Sequence, residues 1–422
     1  MPPYSSAKAV PAPFRSDIDR AAAARQWEFG GADYMNHGSF GACPRRVRDF
    51  LQQQREDFLT NPMDYFGNEN PRRMTEGRLF WAEFLKADSE GVVHVECATL
   101  GVNTVMKSLA LRGYFRPDDE ILLTSHGYNA CNNVTREIAA LTGARAVVAS
   151  VPFPIENRDQ VTQAIFAAVT PQTRLALIDH ITSETGLIFP IEEIVAGLKE
   201  RGVETLVDGA HAPAHVPLDL AKLGAAFYTG NGHKWLCAAP GAAFLYVRED
   251  FRDSIRPMST SHGANDPNPN LSAFQKTFAW TGTRDNTPYF TPKIAFETLS
   301  ALHRDGLPAL IADNRRLVRY GCQLVLDSLG LKPHAPDDML GMMTTIILPP
   351  GDAARLRHDL RQRENFSMQL GQLSPQFGAG RFLRLSAQAY NQPGQYERLA
   401  RVLVEALERE KRGDLLPLPQ QA

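Results

Sequence analysis

Short apolar runs alternate with longer stretches of helical period through the first two thirds of the chain. Val92-Val-His-Val, Glu120-Ile-Leu-Leu-Thr, Ala146-Val-Val-Ala, Leu175-Ala-Leu-Ile-Asp, Thr205-Leu-Val-Asp208, Ala225-Ala-Phe-Tyr228 and Gly241-Ala-Ala-Phe-Leu-Tyr-Val all read as strands. Runs that are apolar on both faces and stop at glycine or polar residues suit a parallel sheet covered by helices on both sides. The fold class is therefore α/β. After about residue 290 the pattern changes. Amphipathic helical stretches cover 293–302 and 311–329, strands are expected at Met343-Thr-Thr-Ile-Ile-Leu and Phe382-Leu-Arg-Leu-Ser, and a last helix spans 395–412. This predicts a large domain over 36–290, a smaller C-terminal α/β domain over 291–422, and an N-terminal segment, 1–35, packing on the small domain. Within that segment, residues 1–15 are rich in Pro, Ser and Ala and are expected on the surface. Ser16 is a candidate N-cap for a short helix. Arg45 to Leu59 reads as a helix, and Asn61-Pro-Met-Asp-Tyr65-Phe-Gly as a loop reaching a pocket.

Candidate chemistry gathers where strands end. Asp208 closes one apolar run just before Gly209. The next run is stopped by Gly230 and Gly232, with Asn231, His233 and Lys234 beside them. Ligands of open α/β sheets sit outside the carboxyl ends of the strands, so an acid and an amine on neighbouring strands share one edge. Pyridoxal phosphate (PLP) needs that pair: a lysine to form a Schiff base, and an anion to keep the ring nitrogen protonated. Upstream, Val92-Val-His-Val-Glu-Cys leads into Ala98-Thr99-Leu100-Gly101 and then a helix. Free N–H groups and the dipole at such a helix start attract phosphate, with the Thr99 hydroxyl as a further donor. Thr99 as a simple helix cap is the alternative. His126 and Tyr128 follow the next strand, where a flat ring can lie on the cofactor.

Composition narrows the class without deciding the chemistry. The 422 residues are 43% hydrophobic, enough for a full core, and the net charge of −2 argues against bulk attraction to nucleic acid or a membrane surface. The five cysteines are odd in number and widely spaced, with no Cys-x-x-Cys pair, which suits a reducing cytoplasm and disfavours disulfides or a metal site. The N-terminus lacks a signal-peptide pattern, and no apolar run approaches the roughly 20 residues of a membrane span.

The segment Val207-Asp-Gly-Ala-His-Ala-Pro-Ala-His-Val-Pro-Leu-Asp-Leu, continuing to Gly230-Asn-Gly-His-Lys-Trp-Leu-Cys-Ala, resembles class V aminotransferases of PLP fold type I. It looks most like the branch holding isopenicillin N epimerases and enzymes that cleave C–S bonds of cysteine conjugates. The resemblance spans about Asn36 to Asn391. It implies a mostly parallel seven-stranded sheet, a homodimer, and PLP on Lys234 with Asp208 at the ring nitrogen. It implies phosphate contacts from Thr99 and the backbone at Leu100 and Gly101, with His233 and Asn231 reaching the phosphate or holding the loop. Thr283, in Trp280-Thr-Gly-Thr-Arg-Asp, would reach the partner subunit's cofactor, with Arg284 in the same interface. Tyr128 takes the stacking role, with His126 as runner-up, and its phenol can donate a proton. Ser183, or Thr182, and His211 are expected near the ring oxygen or the substrate carboxylate; His215 is read as structural. Asn36, His37 and Gly38 would line the substrate pocket, and Arg384 would grip the substrate carboxylate through paired N–H bonds.

The shared chemistry implied is an external aldimine and removal of the α-proton by Lys234. C–S lysis by β-elimination, epimerisation and, as the alternative, transamination part after that proton is gone. A non-catalytic PLP-fold module is the reading from another class, disfavoured because every expected position is filled. Cysteine desulfurases need a nucleophilic cysteine near the carboxylate-binding arginine. No cysteine occurs between Leu331 and Ala422, and Cys322 falls in a helical run as a structural thiol, so persulfide chemistry is not expected.

Overall fold

The computed structural model describes residues 13–419. A seven-stranded sheet forms its centre: β1 (Val92–Val95), β2 (Glu120–Thr124), β3 (Arg145–Ala149), β4 (Thr173–Asp179), β5 (Glu204–Asp208), β6 (Phe227–Asn231) and β7 (Ala243–Val247). The spatial order is β1-β7-β6-β5-β4-β2-β3. Only β7 runs against its neighbours. Strand residues alternate between two cores, as a pleated strand requires. Leu122, Ala176, Ile178 and Val207 join one cluster, and Ile121, Leu175, Leu177 and Leu206 the other. The second cluster is closed by α1 (Ala98–Leu111), through Val102, Val105, Met106 and Leu109, and by α2 (Asn129–Thr142).

A three-stranded antiparallel sheet lies beyond it: β8 (Met343–Leu348), β9 (Gln369–Gln372) and β10 (Arg381–Ser386), in the order β9-β10-β8. Its core is made with α3 (Gly306–Leu329) and α4 (Pro393–Lys411). Along β10, Leu383 and Leu385 enter this core, while Phe382 and Arg384 point the other way, into a cleft against the large sheet. Period-2 alternation thus aims Arg384 at the strand ends of the neighbouring layer.

The N-terminal segment is tied to this smaller layer. Asp33–Tyr34 pairs in parallel with Phe366–Ser367. The Arg20 guanidinium, buried, lies 2.6 Å from Asp313 and donates to Asn314 Oδ1 at 3.0 Å and the Gln388 carbonyl at 3.1 Å. No helix among the described residues is long and apolar enough to cross a membrane.

Four local expectations change. Ser16 is not the N-cap; Asp19 caps Arg20–Ala24 through the Ala22 N–H, and Ser16 Oγ instead bonds Asp313 at 2.6 Å. The stretch 61–67 is helical, because Asn61 caps it and Pro62 sits at the first helical position, where its missing N–H costs nothing. Strand β6 does not stop at Gly230 but runs to Asn231, since β7 bonds it along that length. Strand β9 was not anticipated. Of the N-terminal residues expected on the surface, 1–12 lie outside the described residues, and the Phe14 ring packs 5.7 Å from Tyr320.

Candidate active site

Asp208, the last residue of β5, and Lys234, just past β6, meet at one sheet edge. Asp208 Oδ1 accepts the Ala210 N–H at 2.9 Å and Oδ2 accepts the Cys131 thiol at 3.1 Å. Lys234 Nζ lies 3.0 Å from His211 Nε2, and His211 Nδ1 accepts the Trp235 indole N–H at 3.2 Å. Burial pushes the Lys234 amine down to about 8, although Asp208 pulls it the other way. Burial, then the Lys234 charge, holds His211 well below the usual imidazole range. The loop is held from beneath. His37 is fully buried, its Nε2 bonding the Lys234 carbonyl at 3.0 Å and its Nδ1 the Tyr390 hydroxyl at 3.0 Å. Gly41 has φ +72°, and a Cβ there would fall 1.8 Å from the His233 carbonyl oxygen, so only glycine admits this approach.

The start of α1 faces the same edge. Its first N–H, on Ala98, is taken by Asn231 Oδ1 at 2.8 Å, and Gly101 N–H by the Cys97 carbonyl at 3.0 Å. That leaves the Thr99 and Leu100 N–H groups and the helix dipole for an anion. His233 Nδ1 is buried nearby on the lysine loop without a hydrogen-bond partner, and burial pushes its imidazole down to about 4.

Arg384 enters from β10. It is buried, donates to the Ser183 carbonyl and to Ser39 Oγ at 2.7 Å, and lies 3.4 Å from Asn36 Oδ1 and Ser183 Oγ. Burial lowers its guanidinium to about 10. It lines a cleft of about 380 Å³ with Tyr128, Ser183, Glu184, Gln376 and Arg136. Tyr128 is 45% exposed and precedes α2; burial of its phenol, then Cys131 and Asp208, raises it above the usual range.

Several sequence expectations need correction. His37 does not line the cleft but is spent on the lysine loop; Gly38 lies between Met343, whose Sδ an added Cβ would meet at 2.6 Å, and Arg384, whose Nη2 it would approach to 3.8 Å. Gly101 offers no free N–H; its bare Cα lets α1 approach β6, where a Cβ would sit 2.1 Å from Thr229 Oγ1. Asn231 caps α1. His126 is no stacking candidate, because Thr185 Oγ1 at 2.7 Å and the Val151 carbonyl at 3.2 Å hold its buried ring. Thr182 is buried and serves the Leu187 N–H at 2.8 Å, which leaves Ser183 in the cleft. His215 bonds the His211 carbonyl and the Met342 N–H, a structural part. Thr283 lies exposed in a turn, and Arg284 pairs with Glu96 and the Tyr289 hydroxyl.

Asp179 and Trp235 were missed, as were Ser39, which accepts from Arg384, and Cys131, which donates to Asp208. Asp179 ends β4 directly beside Asp208 in register, and burial, then Asp208, raises its carboxyl well above the usual range. The signal was present, since its strand also ends in an acid. Trp235 carries the bond to His211, for which sequence offers no pattern.

A strand-end acid, a lysine after the adjacent strand and an open helix start make the site of a fold type I PLP enzyme. The family model for class V aminotransferases matches residues 41–398, and the chain belongs to that family. An isopenicillin N epimerase of Amycolatopsis lactamdurans is 33% identical over 384 residues, covering 88% of this chain and 94% of that protein. A probable chloroplastic L-cysteine desulfhydrase of Arabidopsis thaliana is 26% identical over 390 residues, covering 86% and 81%. Among solved structures, a cysteine desulfurase from Escherichia coli superposes with TM-score 0.75 at 19% identity, over 94% of this chain and 100% of that one. A cystine C–S lyase in complex with its product, cysteine persulfide, gives TM-score 0.74 at 18% identity, over 89% and 98%. These two likenesses show the fold. PLP is the cofactor of the family. The residues fit it: an amine of lowered pKa, an acid with room for another donor, two open N–H groups and an orphaned buried imidazole nitrogen lie at one edge.

Proposed function

We propose that the chain acts at the α-carbon of a cysteine-derived amino acid or conjugate and releases its sulfur substituent. The substrate R–S–CH2–CH(NH3+)–COO− takes up water and yields R–SH, pyruvate and ammonium. PLP supplies the electron sink for the bond broken at the α-carbon. Lys234 holds the cofactor and, as a free amine, removes the α-proton. Asp208 keeps the proton on the ring nitrogen. Thr99, the Leu100 N–H and His233 take the phosphate. Arg384 binds the α-carboxylate with a fork that Ser183 and Ser39 hold in place. Tyr128, with its raised phenol, stays protonated and donates to the leaving sulfur.

The observation that carries this reading is that the lysine loop and the Arg384 guanidinium, from two separate sheets, meet across Gly38, where an added Cβ would lie 3.4 Å from the Trp235 ring and 3.8 Å from Arg384 Nη2. Arg384 is also among the charges that lower Lys234. Arg136 is among the residues lining the cleft, which favours a charged substituent on sulfur. No cysteine lines the cleft, which supports elimination without a protein persulfide.

Epimerisation is the second reading. It is favoured by the 33% identical epimerase and by Tyr128, a protonated acid in the cleft separate from the lysine loop. Adding S-substituted L-cysteines in D2O separates the two. Pyruvate release supports lysis. Solvent deuterium at the α-carbon without pyruvate supports epimerisation.

We further propose a homodimer in which Thr283, in its exposed turn, reaches the partner's phosphate. Sedimentation of the purified protein tests it: a dimer is expected for the wild type, and a monomer that retains full activity excludes a shared site.

A further inference from the structure

We infer that Trp235 fixes the tautomer of His211, and that His211 in turn favours the neutral amine form of Lys234 before any ligand arrives. The inference concerns the ionisation of Lys234 and stands apart from the choice between lysis and epimerisation.

The indole N–H is a donor and nothing else. At 3.2 Å it points at His211 Nδ1, which must therefore offer its lone pair. A neutral imidazole accepting at Nδ1 carries its proton on Nε2. Lys234 Nζ lies 3.0 Å from that Nε2. The Nε2–H must donate, so the lysine nitrogen must accept. An ammonium has three donors and no lone pair. It would meet Nε2–H donor to donor, unless the indole bond broke or the imidazole became an anion.

The upper end of this chain cannot easily turn. Trp235 is fully buried, its ring centroid 4.2 Å from that of His215 and 5.1 Å from that of His37. His215 is itself bonded to the His211 carbonyl at 3.1 Å and the Met342 N–H at 2.7 Å. The charges that face Lys234 divide. Asp208 favours the ammonium, as the Asp179 carboxyl and Cys131 thiol would only in ionised forms that burial opposes; Arg384 opposes it, as does burial of the amine, the largest influence. Burial, the largest influence, and the Arg384 charge oppose protonation of the His211 ring; His215 and His233, pushed down by burial themselves, add no positive charge, so the neutral imidazole is the form available. An ordinary lysine is unprotonated in only on the order of one molecule in a few thousand at neutral pH. The neutral form is the one that attacks a carbonyl or takes a proton.

The test is the pH dependence of Lys234 acetylation by acetic anhydride in the cofactor-free full chain. Each lysine peptide is quantified by mass spectrometry, with exposed Lys222 as internal standard. The wild type should reach half its limiting rate near pH 8, well below the value of an ordinary lysine. His211→Phe should raise the Lys234 half-point by about one pH unit or more. His211→Gln, whose amide can accept from the indole and donate to the amine, should keep it low. Trp235→Phe frees the imidazole to accept from an ammonium, so it should also raise the half-point. It should add nothing in the His211→Phe background. An ordinary lysine half-point in the wild type overturns the inference, as does a folded Trp235→Phe protein with an unmoved one. Equal rises in His211→Phe and His211→Gln also overturn it, and need no tryptophan variant to fold.

Discussion

Asp208 and Lys234 come from adjacent strands of one sheet, whereas Arg384 reaches the same space from another sheet 150 residues further along the chain. The first pair is placed by local means: strand register, a turn, and the glycines that permit close approach. The arginine is placed by assembly. Its fork is held by Ser183 from the large sheet's edge and by Ser39 and Asn36 from a short helix, His37–Phe40, and its N-cap, tied through residues 33–34 to the small layer. The cofactor floor therefore depends on one sheet folding, and the substrate clamp on three segments docking together. Substitutions in the floor should remove chemistry, and those in the clamp should weaken binding.

Lys234→Ala sets the upper limit. Loss of the proton-moving amine alone should lower kcat on the order of 10²–10⁴-fold, read as pyruvate release or α-proton exchange. Asp208→Asn should come next, lowering kcat on the order of 10²-fold with little change in KM, because it removes a charge aimed at the reacting system. A larger effect on KM than on kcat would move Asp208 from floor to clamp. Arg384→Lys keeps the charge but not the fork. It should lower kcat/KM by roughly 10–100-fold, mostly through KM, the worth of one charged hydrogen bond.

The tie between clamp and N-terminal segment can be broken apart from the site. Arg20→Ala leaves the buried Asp313 with only Arg316 as an ion-pair partner and should cost about 1–3 kcal/mol in denaturant unfolding, less than the roughly 3–5 kcal/mol of a buried charge left wholly unpaired. The wild-type pair also has a pH signature. Burial pushes the Asp313 carboxyl up, but Ser16, Arg20 and the Asp17 N–H outweigh it and hold it below 3.8. A depressed carboxyl stabilises the fold fully above its unfolded value and loses that contribution as pH falls through the folded one. Asp313→Asn should flatten the stability curve below about pH 4, measured by thermal unfolding. The smallest effect is expected from Asp179→Asn. This acid sits beside Asp208 with its carboxyl pushed well above the usual range by burial and by that neighbour, so an amide should change kcat little. A loss as large as that of Asp208→Asn would make the two carboxyls a joint unit.

The floor was legible in sequence because its signals are local. An apolar run closed by Asp208, glycines around Lys234 and a small-residue helix start at Thr99 each report on their own backbone. The parallel sheet was legible for the same reason. What sequence could not convey was direction. His37 lies in a polar, glycine-broken stretch that reads as a pocket loop, yet it turns inward and supports the lysine carbonyl. Gly101 sits where a phosphate turn is expected but serves the approach of a helix to Thr229. The Trp235–His211–Lys234 chain depends on ring orientations set by packing on His215, which no spacing encodes. Strand β9 was missed because Gln369-Leu-Gly-Gln has one apolar residue and gains its order only by pairing with β10.

The most direct test of the cofactor floor is to reduce the purified enzyme with borohydride, which fixes a lysine-bound PLP in place, and to locate the added mass on the peptides. The phosphopyridoxyl group is expected on Lys234 and on no other lysine. Its absence there after the protein has been supplied with PLP, or its presence elsewhere, would contradict the assignment of Lys234 and Asp208 as the floor of the active site.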